Sequence, residues 1–197
     1  MDEIVAAAWD IVREQGLAGL AMRDLGERVG MKAQSIYSYF ASKHDIYDAM
    51  FYEGYKDFAA AMGDFGDSPT DGAETTDGRP SSAHRVAHRF FAFCTSDPVR
   101  YQLLFQRTIP DFVPSPASYT VALEAYDAMR KHLGSFGVTD PEAVDLWTAM
   151  LTGLTDQQIS NDPGGDRWER TVDRAVDMLR RELAPSISEP TTQGKPR

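Results

Sequence analysis

The chain has 197 residues, a formal net charge of -10 and an apolar content of 42%. That is enough to build a real core, which excludes a wholly disordered protein, and the acidic balance excludes one that coats nucleic acid nonspecifically; any DNA contact must be a local patch. Cys94 is the single cysteine, so no internal disulfide can form, no apolar run is long enough to span a membrane, and the acidic start Met1-Asp2-Glu3 has no apolar signal core. A cytoplasmic protein without membrane contact is the expectation.

Residues 3–15 carry apolar side chains at helical period, with Ile4, Ala8 and Ile11 on one stripe and Val5, Trp9 and Val12 beside it. Asp2 and Glu3 suit the positive end of that helix, and Gly16 suits its end. A short helix follows from Met22 to Val29, with Leu25 and Val29 inward and Gly26 costing roughly 1 kcal/mol relative to alanine unless a close helix contact compensates. Gly30 turns the chain into a helix over 33–40, with Ile36 and Phe40 inward. Ser42 and Asp45 form a capping-box pair for a helix from Lys43 to about Met62, with Ile46, Ala49, Met50, Tyr55 and Phe58 as buried positions.

Residues 63–82 lose the helical period and are rich in glycine, proline, serine, threonine and acids, which predicts a flexible acidic linker. Further helices are predicted over 83–96, over 98–107 with Pro98 in the first turn, over 117–133 with a stripe of Tyr119, Leu123, Tyr126, Met129 or Arg130, and Leu133, over 141–160, and over 166–183. The proline-containing tail 185–197 reads as disordered. No alternating strand pattern occurs, so the fold class is all-α. The expected organisation is a helix-turn-helix unit over 1–45, a connecting helix over 46–62, the linker, and a second helical domain over 83–184.

The window Ala21–Lys43 holds four bases (Arg23, Arg28, Lys32, Lys43) against two acids (Asp24, Glu27). A locally basic helix-turn-helix on an acidic chain points to double-stranded DNA. The residues Met22-Arg23-Asp24-Leu25, Val29-Gly30 and Ser35-Ile36-Tyr37-Ser38-Tyr39-Phe40-Ala41-Ser42-Lys43 resemble the DNA-binding domain of TetR/AcrR-type transcriptional regulators, Tyr-x-x-Phe-x-x-Lys after a helix-turn-helix being that family's signature. The run Pro98-Val99-Arg100-Tyr101-Gln102-Leu103-Leu104-Phe105 also resembles a ligand domain of actinobacterial members. The resemblance implies a homodimeric repressor, released from its operator by a small molecule. Its last two helices would pair with their copies through Leu154, Gln158, Trp168, Val172, Val176 and Leu179.

The residue chemistry agrees. Tyr37, Tyr39 and Lys43 suit phosphates; Lys32, Ala33, Gln34, Ser35 and Ser38 are placed for base edges; by the family pattern Arg23 reaches a guanine or a phosphate. Two features weaken the footprint: Ala21 stands where helix two would carry a serine or threonine cap, and no basic arm precedes helix one. A modest salt dependence follows.

Phe91, Tyr101, Phe105, Tyr126, Met129, Trp147, Met150 and Leu151 are the candidates for lining a partly apolar effector pocket, with ordinary core as the alternative for each; Thr148, Thr152, Thr155, Asp156 and Gln157 are candidate polar anchors, with the dimer bundle as the alternative for that helix face. His84 and His88 have metal-compatible spacing, but no paired acid or cysteine stands nearby at a matching spacing, so they read as half-exposed beside Arg85 and Arg89. No Ser–His–Asp set, phosphate loop, metal signature or cofactor motif is visible, and the other classes left open are an enzyme acting through the C-terminal cavity and a plain helical interaction protein.

Overall fold

A computed structural model describes residues 1–63, 81–135 and 138–183. Every regular element among them is helical: α1 (Asp2–Gln15), α2 (Met22–Arg28), α3 (Ala33–Ile36), α4 (Lys43–Met62), α5 (Ser82–Ser96), α6 (Pro98–Phe105), α7 (Pro116–Gly134), α8 (Pro141–Asn161) and α9 (Val172–Leu183), with single 3-10 turns at Leu17–Gly19 and Glu169–Thr171. The chain is all-α. The predicted linker lies almost entirely, and the predicted tail wholly, outside the described residues.

Local chemistry accounts for the boundaries. Gly16 takes φ 75° and gives its N–H to Val12 O at 2.8 Å, closing α1. α2 starts at Ala21 without a side-chain cap. At the next turn Gly30 takes φ 69°, and Met31 N–H returns to Gly26 O at 2.8 Å. A Cβ on Gly26 would stand 2.7 Å from Met31 O, so glycine is what lets α2 and α3 approach each other. Ser42 caps α4 by accepting from Asp45 N–H at 3.2 Å, while Asp45 accepts from Ser42 N–H at 3.0 Å.

Three apolar clusters organise the chain. The first joins Ile4, Ala8, Ile11 and Val12 of α1 to Leu25, Ile36, Phe40 and the first half of α4 through Ile46, Tyr47 and Met50; these segments are the head. The second packs Ala87 and Phe91 of α5 against Trp147 and Leu151 of α8 and Val172 and Val176 of α9. The third links Phe51 and Met62 of α4 to Phe93, Cys94, Tyr101 and Leu104. α4 belongs to the first and third, and Leu103 of α6 enters the head cluster, so movement of α6 or α4 is felt in both halves.

Four expectations need correction. The helix predicted over 33–40 is α-helical only to Ile36 and continues as tight turns, with Phe40 N–H bonded to Ile36 O at 3.0 Å. α9 begins at Val172, not at 166. The first half of the α7 stripe faces outward: Tyr119, Leu123 and Tyr126 are exposed while Ser118, Ala122 and Ala125 are buried, and only Met129 and Leu133 pack inward as part of the second cluster. The physical reason is closeness, since small side chains let α7 lie against α4, whereas the pattern of large residues marked the outer face. On α4, Tyr47 and Phe51 are buried deeper than Tyr55 and Phe58, which are half-buried.

Candidate nucleic-acid interface and effector region

Every apolar side chain of the turn region that can turn inward does so, and what remains outside is a polar and tyrosine-bearing surface. Leu25 and Ile36 are completely buried and Phe40 nearly so. Lys32, Gln34, Tyr37, Ser38 and Tyr39 are exposed on the same short stretch, with Ala33 and Ser35 half-buried. The two tyrosines are 53% and 49% exposed, a degree that packing does not require of such large rings. Ser38 Oγ donates to Ser35 O at 2.7 Å, which steadies the turn and leaves its oxygen able to accept.

The charges divide. Arg28 makes a two-pronged pair with Glu14, at 2.9 and 2.6 Å, and so ties α2 to α1 instead of facing a ligand. That pair lowers the carboxyl pKa of Glu14 through the Arg28 hydrogen bond. Arg23 is open to solvent, with its Nε 3.5 Å from Glu27 and 3.7 Å from Asp24. Lys32 has no ion-pair partner among the described residues. Lys43 departs from the phosphate-facing expectation: its Nζ donates to Ala18 O at 3.2 Å and lies 5.4 Å from the Tyr47 ring centre. Burial lowers its pKa. In this state Lys43 anchors α4 to the turn after α1, because the first turn of α4 lies against that turn.

The eight pocket candidates separate. Phe105 belongs to an edge-to-face aromatic group with Tyr55, Phe58, Phe90 and Phe93, ring centres 5.3–6.0 Å apart for Phe58 with its neighbours, and Tyr101 joins it through a tilted contact with Phe105 at 5.6 Å. Phe91, Trp147 and Leu151 are buried in the second cluster, with Met129 and Met150 half-buried against it. Tyr126 is 42% exposed on the outer face of α7, so its side chain is turned away from the other seven. Between the two groups sits a polar knot the sequence reading missed as a unit. Asp156 Oδ1 accepts from the Tyr101 hydroxyl at 2.9 Å and from Gln106 Nε2 at 2.8 Å. Burial is the first cause of the raised pKa of Tyr101, followed by the Asp156 hydrogen bond. The 50-odd residues between these partners hid the knot from any spacing rule.

The dimer candidates separate too. Val172 and Val176 are completely buried within their own chain. Gln158 is spent on the loop after α8: its Nε2 donates to Gly165 O at 3.1 Å and its Oε1 accepts from Trp168 N–H at 2.9 Å. Leu154, Trp168 and Leu179 are half-buried against the second cluster. Apolar residues left outward on the same helices are Leu146 on α8 and Met178 on α9, 46% and 57% exposed.

His84 and His88 acquire partners that sequence proximity could not supply. His84 Nε2 lies 3.0 Å from Asp177 Oδ1 and His88 Nε2 lies 2.8 Å from Asp173 Oδ1, two rungs fastening α5 to α9. Ser81 Oγ is 2.7 Å from the other nitrogen of His84, so a Ser–His–Asp chain does exist. Ser81 is 6% exposed at the start of α5, where its hydroxyl makes no cap bond but meets His84 and accepts from Arg180 Nη1 at 3.4 Å, so it is not presented to a substrate. Cys94 is fully buried, and burial pushes its thiol pKa up, which removes it as a nucleophile. Among the described residues no group of three or more His, Cys, Asp or Glu is arranged to hold a metal ion.

The family model of bacterial regulatory proteins of the tetR family matches residues 4–50, the segment that forms the head. The chain therefore carries a TetR-family N-terminal domain. Solved structures similar over its length include the transcriptional regulator FadR from Bacillus subtilis in complex with stearoyl-CoA (TM-score 0.63, 16% identity, 90% of this chain and 96% of that one). A TetR variant from Acinetobacter baumannii AYE in complex with minocycline matches at TM-score 0.57 and 18% identity, over 91% and 93%. The multidrug binding protein EbrR complexed with ethidium matches at TM-score 0.62 and 22% identity, over 90% and 96%. At these identities the structures establish the fold, and the N-terminal match supports a DNA-binding transcriptional regulator.

Proposed function

We propose that this chain is a homodimeric TetR-family repressor that reads an operator with the segment from Lys32 to Tyr39 and is released by a small, partly apolar molecule held among α4–α8. The observation that carries the reading is the exposure of Lys32, Gln34, Tyr37, Ser38 and Tyr39 together on a head whose apolar residues all turn inward. Gln34 has the donor and acceptor pair that matches adenine, Ala33 suits a thymine methyl, and Tyr37 and Tyr39 suit phosphates; Arg23 adds a charge at the start of α2. Lys43 joins them only by giving up Ala18 O.

Stearoyl-CoA, minocycline and ethidium, bound in the structures of similar fold, support a small-molecule effector for this one. Here the aromatic group around Phe58 and Phe105 supplies apolar surface, and Asp156, Gln106 and Tyr101 supply polar contacts. The α6 helix that carries Tyr101 also sends Leu103 into the head cluster, which gives an effector a route to the reading surface. The dimer seam is assigned to the outer face of α8 around Leu146, Ala149 and Gly153, with Met178 of α9. The open Gly153 leaves room for a partner helix to come close. Two heads read half-sites about one helical turn apart, roughly 34 Å. Action on DNA in the cytoplasm agrees with the absence, among the described residues, of any helix long and apolar enough to cross a membrane.

A gel-shift assay with DNA flanking its own gene tests the reading. Specific retardation at moderate salt is expected, and equal retardation of unrelated DNA would refute it. Leu146→Glu is expected to shift the protein towards monomer in sedimentation; an unchanged dimer would place the seam elsewhere.

A further inference from the structure

A cleft of about 490 Å³ lies where the head meets the later helices, away from the aromatic group. One wall is Gln15–Ala18 with Lys43, His44 and Tyr47; the other is Gln102 of α6 and the loop residues Thr108–Pro110. The size is within the range of small-molecule sites.

The chemistry of the walls is one-sided. Thirty of the 197 residues are acidic, yet none of the residues lining the cleft is. The acids nearest on α4 are already engaged: Asp45 caps Ser42 N–H, and Asp48 accepts from Ser115 N–H at 2.7 Å and Ser118 Oγ at 2.9 Å. The polar lining is instead an ammonium, an imidazole, two carboxamides and a hydroxyl, from Lys43, His44, Gln15, Gln102 and Thr108. Lys43 holds a single neutral acceptor there, Ala18 O, and burial makes its charge costly without a counter-charge. The rest is apolar and partly aromatic. The Tyr47 ring is fixed by its hydroxyl on Leu17 O and by Phe112, 5.9 Å away edge-on, with Leu17, Ile109 and Pro110 around it.

We propose that this cleft is a second ligand site, for a small aryl carboxylate whose charge is taken by Lys43 and His44 and whose ring lies against Tyr47, Leu17 and Ile109. It is independent of the effector reading above, since it uses none of the aromatic group or the Asp156 knot. Because its walls come from both the head and the α6–α7 connection, a ligand there binds best to this mutual arrangement and holds it. By the same linkage, whatever moves the head relative to α6 weakens that ligand.

The test is calorimetric titration of the full chain with 2-naphthoate, with 2-naphthalenemethanol and 2-naphthylmethylamine as neutral and cationic comparators. The carboxylate is expected to bind at least about tenfold more tightly than either, the scale of one charge-assisted contact. Thr108→Trp, at an exposed position, should fill the cleft and abolish binding while circular dichroism and thermal unfolding stay unchanged. Gln102→Glu should weaken the carboxylate by about tenfold and favour the amine, since like charge now faces it. Equal binding of the three compounds, or undiminished 2-naphthoate binding by folded Thr108→Trp and Gln102→Glu, would overturn the proposal, as would no binding of 2-naphthoate to the unaltered chain.

Discussion

The head and the layer formed by α5, α6 and α8 bury side chains on opposite terms. In the head the large buried residues are nearly all apolar, and the one buried hydroxyl, that of Tyr47, is satisfied by Leu17 O. Around α8 polar groups are taken inside: Asp156 with Tyr101 and Gln106, Gln158 with its loop, and Thr155 Oγ1 and Trp147 Nε1 without a hydrogen-bond partner among the described residues. A buried polar atom without a partner costs free energy, so such a layer is less tightly determined than an apolar one and more responsive to a molecule that supplies partners. A reading head needs rigid geometry; a layer that must change on binding needs alternatives close in energy.

Substitutions can sharpen or break this contrast. The largest loss of stability is expected from Gly26→Val, because a side chain there meets the backbone at Met31 O and Ala33 N. It should cost about 3 kcal/mol in urea unfolding and abolish DNA retention. A stable variant would mean that α2 and α3 do not depend on close approach. Asp156→Ala should cost about 1–3 kcal/mol by stranding the Tyr101 hydroxyl and Gln106. Combined with Tyr101→Phe the loss should be less than additive, and simple additivity would show that the knot does not act as a unit. Ser42→Ala removes half of the capping box and is expected to cost about 1 kcal/mol, measured the same way.

Alkaline pH probes the head from another side. Burial pushes the Tyr47 phenol up to about 12 from an ordinary 10.0. An unfolded tyrosine loses its proton first, so the unfolded state binds fewer protons in that interval and stability falls as pH rises from about 10 to 12. Unfolding midpoints across that range should decline, and less steeply in Tyr47→Phe; equal slopes would remove Tyr47 as a cause. Smallest in stability, below about 0.5 kcal/mol, should be Tyr37→Ala and Gln34→Ala, both at exposed positions. Their effects belong to DNA binding: Tyr37→Ala should weaken all sequences alike, whereas Gln34→Ala should relax one base position by about 1–3 kcal/mol. Uniform weakening by Gln34→Ala would assign it to phosphate.

Much of the head was legible because its determinants are local. The Gly16 and Gly30 turns, the close approach at Gly26, the Ser42–Asp45 cap and the inward Ile36 and Phe40 all lie within a few residues of what they act on. The site was less legible even here: the exposed tyrosines follow from period, but the turn of Lys43 towards Ala18 depends on how the first turn of α4 meets the end of α1. In the later helices the first half of the α7 stripe misled, since closeness to α4 selected Ser118, Ala122 and Ala125, whereas Met129 and Leu133 do turn inward.

The sequence by itself determined the helical class, most helix ends and which side chains of the turn region stay exposed, because helical period, capping and glycine conformations act over three or four residues. Only the tertiary structure decided which face of α7 is covered, that Val172 and Val176 belong to their own subunit's core, that His84 and His88 are held by acids of α9, and that Asp156 joins Tyr101 to Gln106. These depend on the crossing of helices far apart in the chain, where a carboxylate's partner is set by three-dimensional distance and not by spacing.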